Sequence, residues 1–374
     1  MKKLDNILKN PLVSTSIAVI LGFMVASVIL LAVGYKPGQC LAVMFNAVFS
    51  RPKFIMNVII KSSPIILTGL SVFFAFKSGL FNIGAEGQYI ASTIVTTILG
   101  IMLDLPPLIQ VPVIVLGGVL AGALLGAAVG FLKAKFGINE VITSIMFNWI
   151  SLYLCNYVSN SERFHRPESD GTFSIRDSGF TNLFYNWKFS KEGREYLKNN
   201  QFLNDVVLKT DFSLNFIIAV IMAFVVWLVL YKTVKGYEFR VSGINVDAAR
   251  NNGMCVERNI VYSMLIAGAL SGLAGALTVT GTGSHNIHVL AIFENNGFNG
   301  MSVALIAGGT PFGCIFAGLL FSGLIYAGQS LQFKTGAPSE IVNIMIGVIV
   351  FFVALTQFMP TLVDMISRRR NKDV

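Results

Sequence analysis

Charge is scarce in this chain of 374 residues. Asp, Glu, Lys and Arg make up only 13% of it, against roughly 25% in a soluble domain. That excludes an ordinary water-soluble globular enzyme. Cysteine is sparse as well: Cys40, Cys155, Cys255 and Cys314 stand singly, with no CxxC or CxH spacing. The pattern supports neither a disulfide frame nor a metal site. The chain has no G-x-x-x-x-G-K-[ST], and so no phosphate-cradling loop, and it has no GxSxG or HExxH. "SHNIH" (Ser284–His288) sets two histidines three apart, a spacing one helix face could use, but a third ligand is not evident. The chain is therefore not read as an enzyme.

What is present is apolar. Hydrophobic residues are 54% of the chain and mean hydropathy is +0.69. Several uncharged windows reach about 20 residues, the length a helix needs to cross ~30 Å of hydrocarbon. They lack the alternation of barrel strands, so helices must satisfy the backbone internally. The expected fold is all-α: one polytopic membrane domain over 1–374, a helical bundle of about ten spans. The spans are placed at 13–34, 54–76, 87–103, 111–132, 141–159, 213–231, 259–281, 297–308, 311–331 and 340–360. The eighth is short enough to be a half-helix. "MKKLDNILKN" ahead of the first run resembles a signal start, but that run is too long for one and "AVGYKPGQC" is a poor cleavage site, so a retained helix is expected.

The net charge of +9 is read as cytoplasmic loop charge, not as a nucleic-acid surface. With the N-terminus inside, the inner loops collect Lys2, Lys3, Lys9, Lys77, Lys133, Lys135, Lys232, Lys235, Arg240, Arg250, Arg258, Arg368, Arg369, Arg370 and Lys372. The short outer loops hold Lys36, Arg51, Lys53 and Lys334, and Lys61 falls inside a span near its outer end. Both termini are then cytoplasmic, as an even number of spans requires. Segment 160–212 becomes an extracytoplasmic insert, either a spacer or a docking surface bearing Tyr185, Trp187 and Tyr196.

Two stretches share one pattern: "LAGALLGAAVGFLKAKFGINEVITSIM" (120–146) and "FAGLLFSGLIYAGQSLQFKTGAPSEIVNIM" (316–345). Each is a small-residue helix, a Lys/Gly link and a Glu-led second helix. On the topology above they run in opposite senses, which predicts an inverted internal repeat. "GGVLAGALLGAAVG" (Gly117–Gly130) and "GALSGLAGAL" (Gly268–Leu277) carry glycines spaced for close helix packing in lipid.

Three polar entries interrupt the apolar runs. "GLFNIGAEGQ" (79–88) places Asn82, Glu86 and Gln88 among glycines. A carboxylate at membrane depth needs a partner or a watery cavity. The stretch is either part of a substrate path or its gate, or a structural turn in which Glu86 caps the next helix. "GINEVITSIMFNW" (137–149) offers Asn139 as an N-cap and Glu140 in the first turn, and puts Asn148 mid-span, where it needs a partner inside the bundle. The loop at 236–258 contains "GINVDAARNNG", in which Asn245 can cap, Asp247 sits in the first turn, Ala248 and Ala249 favour helix, and Gly253 ends it. A turn or two of helix is expected there, lying across the cytoplasmic face.

Together "GLFNIGAEGQYIAS", "GINEVITSIMFNWI", "GYEFRVSGINVDAARNNGM" and "GFNGMSVALIAG" resemble the permease subunits of bacterial nucleoside ATP-binding cassette (ABC) importers, a branch of the branched-chain amino acid and ribose permease group. The resemblance covers about 54–355 and is most specific at "FNIGAEGQ". It implies a bacterial cytoplasmic membrane location, a nucleoside substrate and a second, similar permease. It further implies a cytoplasmic ABC ATPase and an extracytoplasmic substrate-binding lipoprotein. ATP and magnesium would belong to the ATPase chain, which accounts for the missing phosphate loop. The segment bearing Gly243, Asn245, Asp247, Ala248, Ala249, Arg250 and Gly253 would couple to that ATPase. Asn82, Glu86, Gln88 and Asn148 would form a polar seam on the substrate path. A sugar or amino acid permease and an ion-driven carrier are the alternatives.

Overall fold

A computed structural model describes residues 11–336 and 339–355 of the chain. Seven of the basic residues used for orientation, Lys2, Lys3, Lys9, Arg368, Arg369, Arg370 and Lys372, lie outside the described residues, as does the end of the span expected at 340–360. The described chain is helical, with only isolated β-bridges. Its helices are α1 (Pro11–Ala32), α2 (Pro37–Phe49), α3 (Pro52–Lys77), α4 (Ala85–Met102), α5 (Pro107–Phe136) and α6 (Glu140–Ser159). Short helices α7 (Tyr185–Phe189) and α8 (Lys191–Asn199) lie in the insert. Then come α9 (Asn215–Lys232), α10 (Val234–Ile244), α11 (Val246–Asn251), α12 (Val256–Gly281), α13 (Asn296–Ile306), α14 (Pro311–Thr335) and α15 (Ser339–Leu355).

Each expected span falls on a helix. Among the described residues six of them, α3, α5, α6, α9, α12 and α14, are long and apolar enough to cross a membrane. The 11 residues of α13 rise only about 16 Å, half of a bilayer core, so the half-helix reading holds. Helix α2 was not foreseen. It occupies what reads as an outer loop, starts on Pro37, a residue preorganised for a first helical turn, and packs against α14.

Two long helices organise the bundle. α3 and α12 pack against each other, and each also packs against helices from the other half of the chain. α3 touches α13 and α14, while α12 touches α4 and α5. The two small-residue stripes meet face to face. A Cβ on Gly122 would fall 2.7 Å from Gly272 Cα, and one on Gly268 would fall 3.1 Å from Gly126 Cα. Only glycine lets these backbones come so close, as the spacing predicts. Serine hydroxyls stitch the same centre together: Ser71 donates to Ala267 O at 2.6 Å and Ser92 to Gly272 O at 2.5 Å.

Candidate translocation site

The site is built on the turn between α3 and α4. α3 ends in a Schellman motif, with Gly79 left-handed (φ +73°) and Leu80 N–H bonded back to Ala75 O. The chain then doubles back, and Asn82 and Gln88 form a reciprocal amide pair. Asn82 Nδ2 donates to Gln88 Oε1 at 2.9 Å, and Gln88 Nε2 donates to Asn82 Oδ1 at 3.0 Å. Asn82 Nδ2 also reaches Ser71 Oγ on α3 at 3.0 Å.

Glu86 stands in the first turn of α4, but the helix end it satisfies is elsewhere. Its carboxylate accepts from the backbone N–H of Asn295 at 2.9 Å and of Gly297 at 2.5 Å. Those groups open α13. Two helix N-termini from opposite halves of the chain thus converge on one carboxylate, which meets both positive dipole ends and orphan N–H donors. Asn148, from α6, closes the group: its Oδ1 accepts from Gly87 N at 2.8 Å and its Nδ2 donates to Ile83 O at 3.1 Å. The four residues singled out from sequence are therefore neighbours in one buried knot. Asn82, Glu86 and Gln88 are fully buried, and Asn148 is 2% exposed.

Beyond the opening of α13 lies a cavity of about 360 Å³ between α3, α12, α13 and α14. Asn57, Lys61, Asp211, Glu294, Asn296 and Asn299 line it together with the apolar Ile60, Pro64, Ile65 and Ile325. Sequence reasoning missed this site because its residues are dispersed over four helices and two loops. The one signal was Lys61, a cation inside an apolar span.

The segment at 243–253 forms the short helix its sequence predicts. Asn245 Oδ1 accepts from Ala248 N at 2.9 Å, opening α11, and Gly253 follows in the left-handed region (φ +76°). Arg250 pairs with Glu257 at 2.6 Å. Ala249 is fully buried, whereas Ile244 is 86% exposed and Val246 43%. The exposed residues of this segment thus include Ile244, Asn245, Val246, Asp247 and Arg250. Gly243 faces inward onto the backbone of Gly79. In "GINEV", Asn139 Oδ1 accepts from Val141 N at 2.8 Å, as expected of a cap, and Glu140 meets Lys133 at 2.6 Å.

The insert is fastened to the loop that follows α12. Thr172 N–H bonds to Ile287 O, Ile175 N–H to His285 O, and Val289 N–H to Asp170 O. His285 stacks on Phe180 with ring centroids 3.8 Å apart, and its Nδ1 lies 2.9 Å from Val279 O. Burial pushes its pKa below the usual histidine range. His288 pairs instead with Ser284, so the two histidines of "SHNIH" serve separate contacts. Lys188 is buried, donates to Thr210 O at 3.1 Å, and has its pKa pushed down by that burial. Trp187 and Tyr196 remain exposed on the insert, 5.9 Å apart between centroids.

Comparison with known proteins bears on this geometry. Residues 54–354 match the family described as the permease component of the branched-chain amino acid transport system. The chain is 35% identical over 339 residues to the guanosine ABC transporter permease protein NupP of Bacillus subtilis, covering 90% of this chain and 91% of that one. It is 33% identical over 342 residues to the nucleoside ABC transporter permease protein NupB of Lactococcus lactis, covering 91% and 89%. It is 27% identical over 347 residues to the glucose ABC transporter permease protein TsgB13 of Haloferax volcanii, covering 91% and 87%. No solved structure matches the chain.

Proposed function

The chain belongs to the branched-chain amino acid transport system permease family, and on that premise we propose that it is the membrane permease subunit of an ABC importer that carries nucleosides across the bacterial cytoplasmic membrane. The observation that carries the reading is the identity above 30%, over nine-tenths of the chain, to a guanosine and a nucleoside permease. The Glu86 knot supports it. In transporters with broken helices, half-helix N-termini commonly hold an anionic group of the substrate. Here the carboxylate of Glu86 already fills that place. A neutral solute suits such a site better than the carboxylate of an amino acid.

The packing of α3 and α12, each against helices of the other half, supports an inverted repeat within a ten-span bundle. So do the left-handed glycines Gly137 and Gly336 that close α5 and α14 before the Glu-led helices α6 and α15. The N-terminus and C-terminus lie in the cytoplasm on this reading. A cytoplasmic ABC ATPase grips the exposed face of α10 and α11 and supplies ATP hydrolysis with magnesium. A second, homologous permease completes the pathway. An extracytoplasmic lipoprotein hands over substrate at the 160–212 insert, whose exposed Trp187 and Tyr196 suit protein contact.

Closure of the ATPase would shift α11. Gly243 would pass that shift to Gly79, and the turn at 79–88 to Asn148 and α13. Asn82, Glu86, Gln88 and Asn148 then act as the buried gate of the substrate path. The likeness to a glucose permease keeps a sugar as the second reading. The test is uptake of radiolabelled guanosine, adenosine, uridine and ribose by cells with and without the chain. Loss of nucleoside uptake alone supports the proposal; loss of ribose uptake alone favours the sugar.

A further inference from the structure

The geometry points to the cavity between α3, α12, α13 and α14 as a ribonucleoside-binding site in which Glu294 reads the ribose hydroxyls. The inference rests on the nucleoside reading above and deepens it. The cavity holds about 360 Å³, within the ~300–1,000 Å³ usual for small-ligand pockets. Its lining mixes chemistries: Glu294, Asp211, Lys61 and three asparagines alternate with isoleucines and a proline. The two carboxylates outnumber the single ammonium, so an anion is disfavoured. A neutral molecule that carries both hydroxyls and a flat ring matches such a lining.

Of the two carboxylates, Asp211 is committed to the backbone: its Oδ2 accepts from Gly283 N at 3.0 Å. Glu294 instead accepts from a side chain, Asn296 Nδ2, at 3.2 Å, lies beside the Tyr89 hydroxyl, and is an exposed residue lining the cavity. A carboxylate accepts two vicinal hydroxyls well, as acidic residues do for the ribose of dinucleotides. Its position also matters. Glu294 and Asn296 bracket Asn295, and the N–H groups of Asn295 and Gly297 are the ones Glu86 holds. A ribose bound at Glu294 therefore presses on the same short segment that anchors the buried knot. Occupancy of the cavity and the state of the gate share one piece of backbone.

The test uses the complete importer in cells, with radiolabelled guanosine and 2′-deoxyguanosine as probes. Glu294→Gln keeps size and polarity but loses the charge. Guanosine uptake should fall at least about ten-fold, the order expected for a lost charge-assisted hydrogen bond, while deoxyguanosine uptake changes little. The ratio of the two should move towards one. An equal loss for both, or no loss, overturns the role of Glu294. Ile325→Trp fills the cavity from α14 and should abolish transport of whatever the unaltered chain carries, sugar or nucleoside. Undiminished transport by that variant overturns the site itself. If the unaltered chain carries only sugars, the nucleoside reading fails while Ile325→Trp still decides the site.

Discussion

Gly79 and Gly243 meet backbone to backbone. A Cβ on Gly243 would lie 2.5 Å from Gly79 N, and a Cβ on Gly79 would lie 2.6 Å from Gly243 Cα. Nothing larger than hydrogen fits between the end of α3 and the end of α10. The contact joins the segment proposed to dock the ATPase to the turn that carries Asn82 and Glu86. Gly243→Val should therefore part the two while leaving the bundle assembled. The expected outcome is ATPase activity that no longer responds to substrate, with a fall in uptake of about ten-fold or more and normal amounts in the membrane. A loss of membrane protein would instead give Gly243 a folding role.

Glu86 answers two helix N-termini at once, and its replacement strands two buried N–H groups. Each charge-assisted bond contributes roughly 1.5–3 kcal/mol, so Glu86→Ala should cost about 3 kcal/mol or more. Glu86→Gln keeps an acceptor and should cost less. Thermal unfolding in detergent, read beside uptake, checks this. If Glu86→Ala is as stable as the parent and transports normally, the knot is not the gate.

Ile244 and Val246 are an exposed apolar pair on the segment proposed to dock the ATPase. Changing both to Asp should abolish co-purification of the ATPase without disturbing the fold, because neither side chain is buried. Arg at Ala248 and Ala249 is a poorer probe, since Ala249 is fully buried and a large cation there would disrupt packing on its own account.

His285 is held neutral between Phe180, Asn182 and Val279. Its pKa is depressed in the folded chain by burial, and an unfolded histidine titrates near ~6.5. The sign follows. Above about pH 6.5 neither state binds the proton and the site costs nothing; as pH falls below it the unfolded form gains a proton first, so stability is lost towards the depressed folded value. Protection of the insert's amides, taken relative to the intrinsic exchange rate at each pH, should fall below about pH 6.5, and His285→Phe should remove that dependence. Equal pH profiles for the two proteins would contradict it.

Local chemistry was legible in the sequence where one stretch of chain settles its own structure. Asn139 and Asn245 cap the helices they precede, Gly253 ends the short helix, and the glycine stripes of α5 and α12 find each other, because caps and small-residue spacing act over one or two turns. Glu86 shows the limit. Its type and burial were readable, but its partners lie 209 and 211 residues away, so the helix end it satisfies could not be read from its own stretch. The cavity was illegible for the same reason. Asn57, Asp211 and Glu294 become neighbours only through the crossing of α3 and α12. Helix α2 escaped notice because its 13 residues are too few for a span and too apolar for a plain loop.

The most direct test of the account is reconstitution in liposomes, comparing this chain alone with the chain plus the partner permease, ATPase and substrate-binding lipoprotein. The account predicts no guanosine uptake by the chain alone under any ion gradient, and uptake into the complete assembly only with ATP and magnesium. Accumulation of guanosine by the chain alone, driven by a proton or sodium gradient, would contradict it.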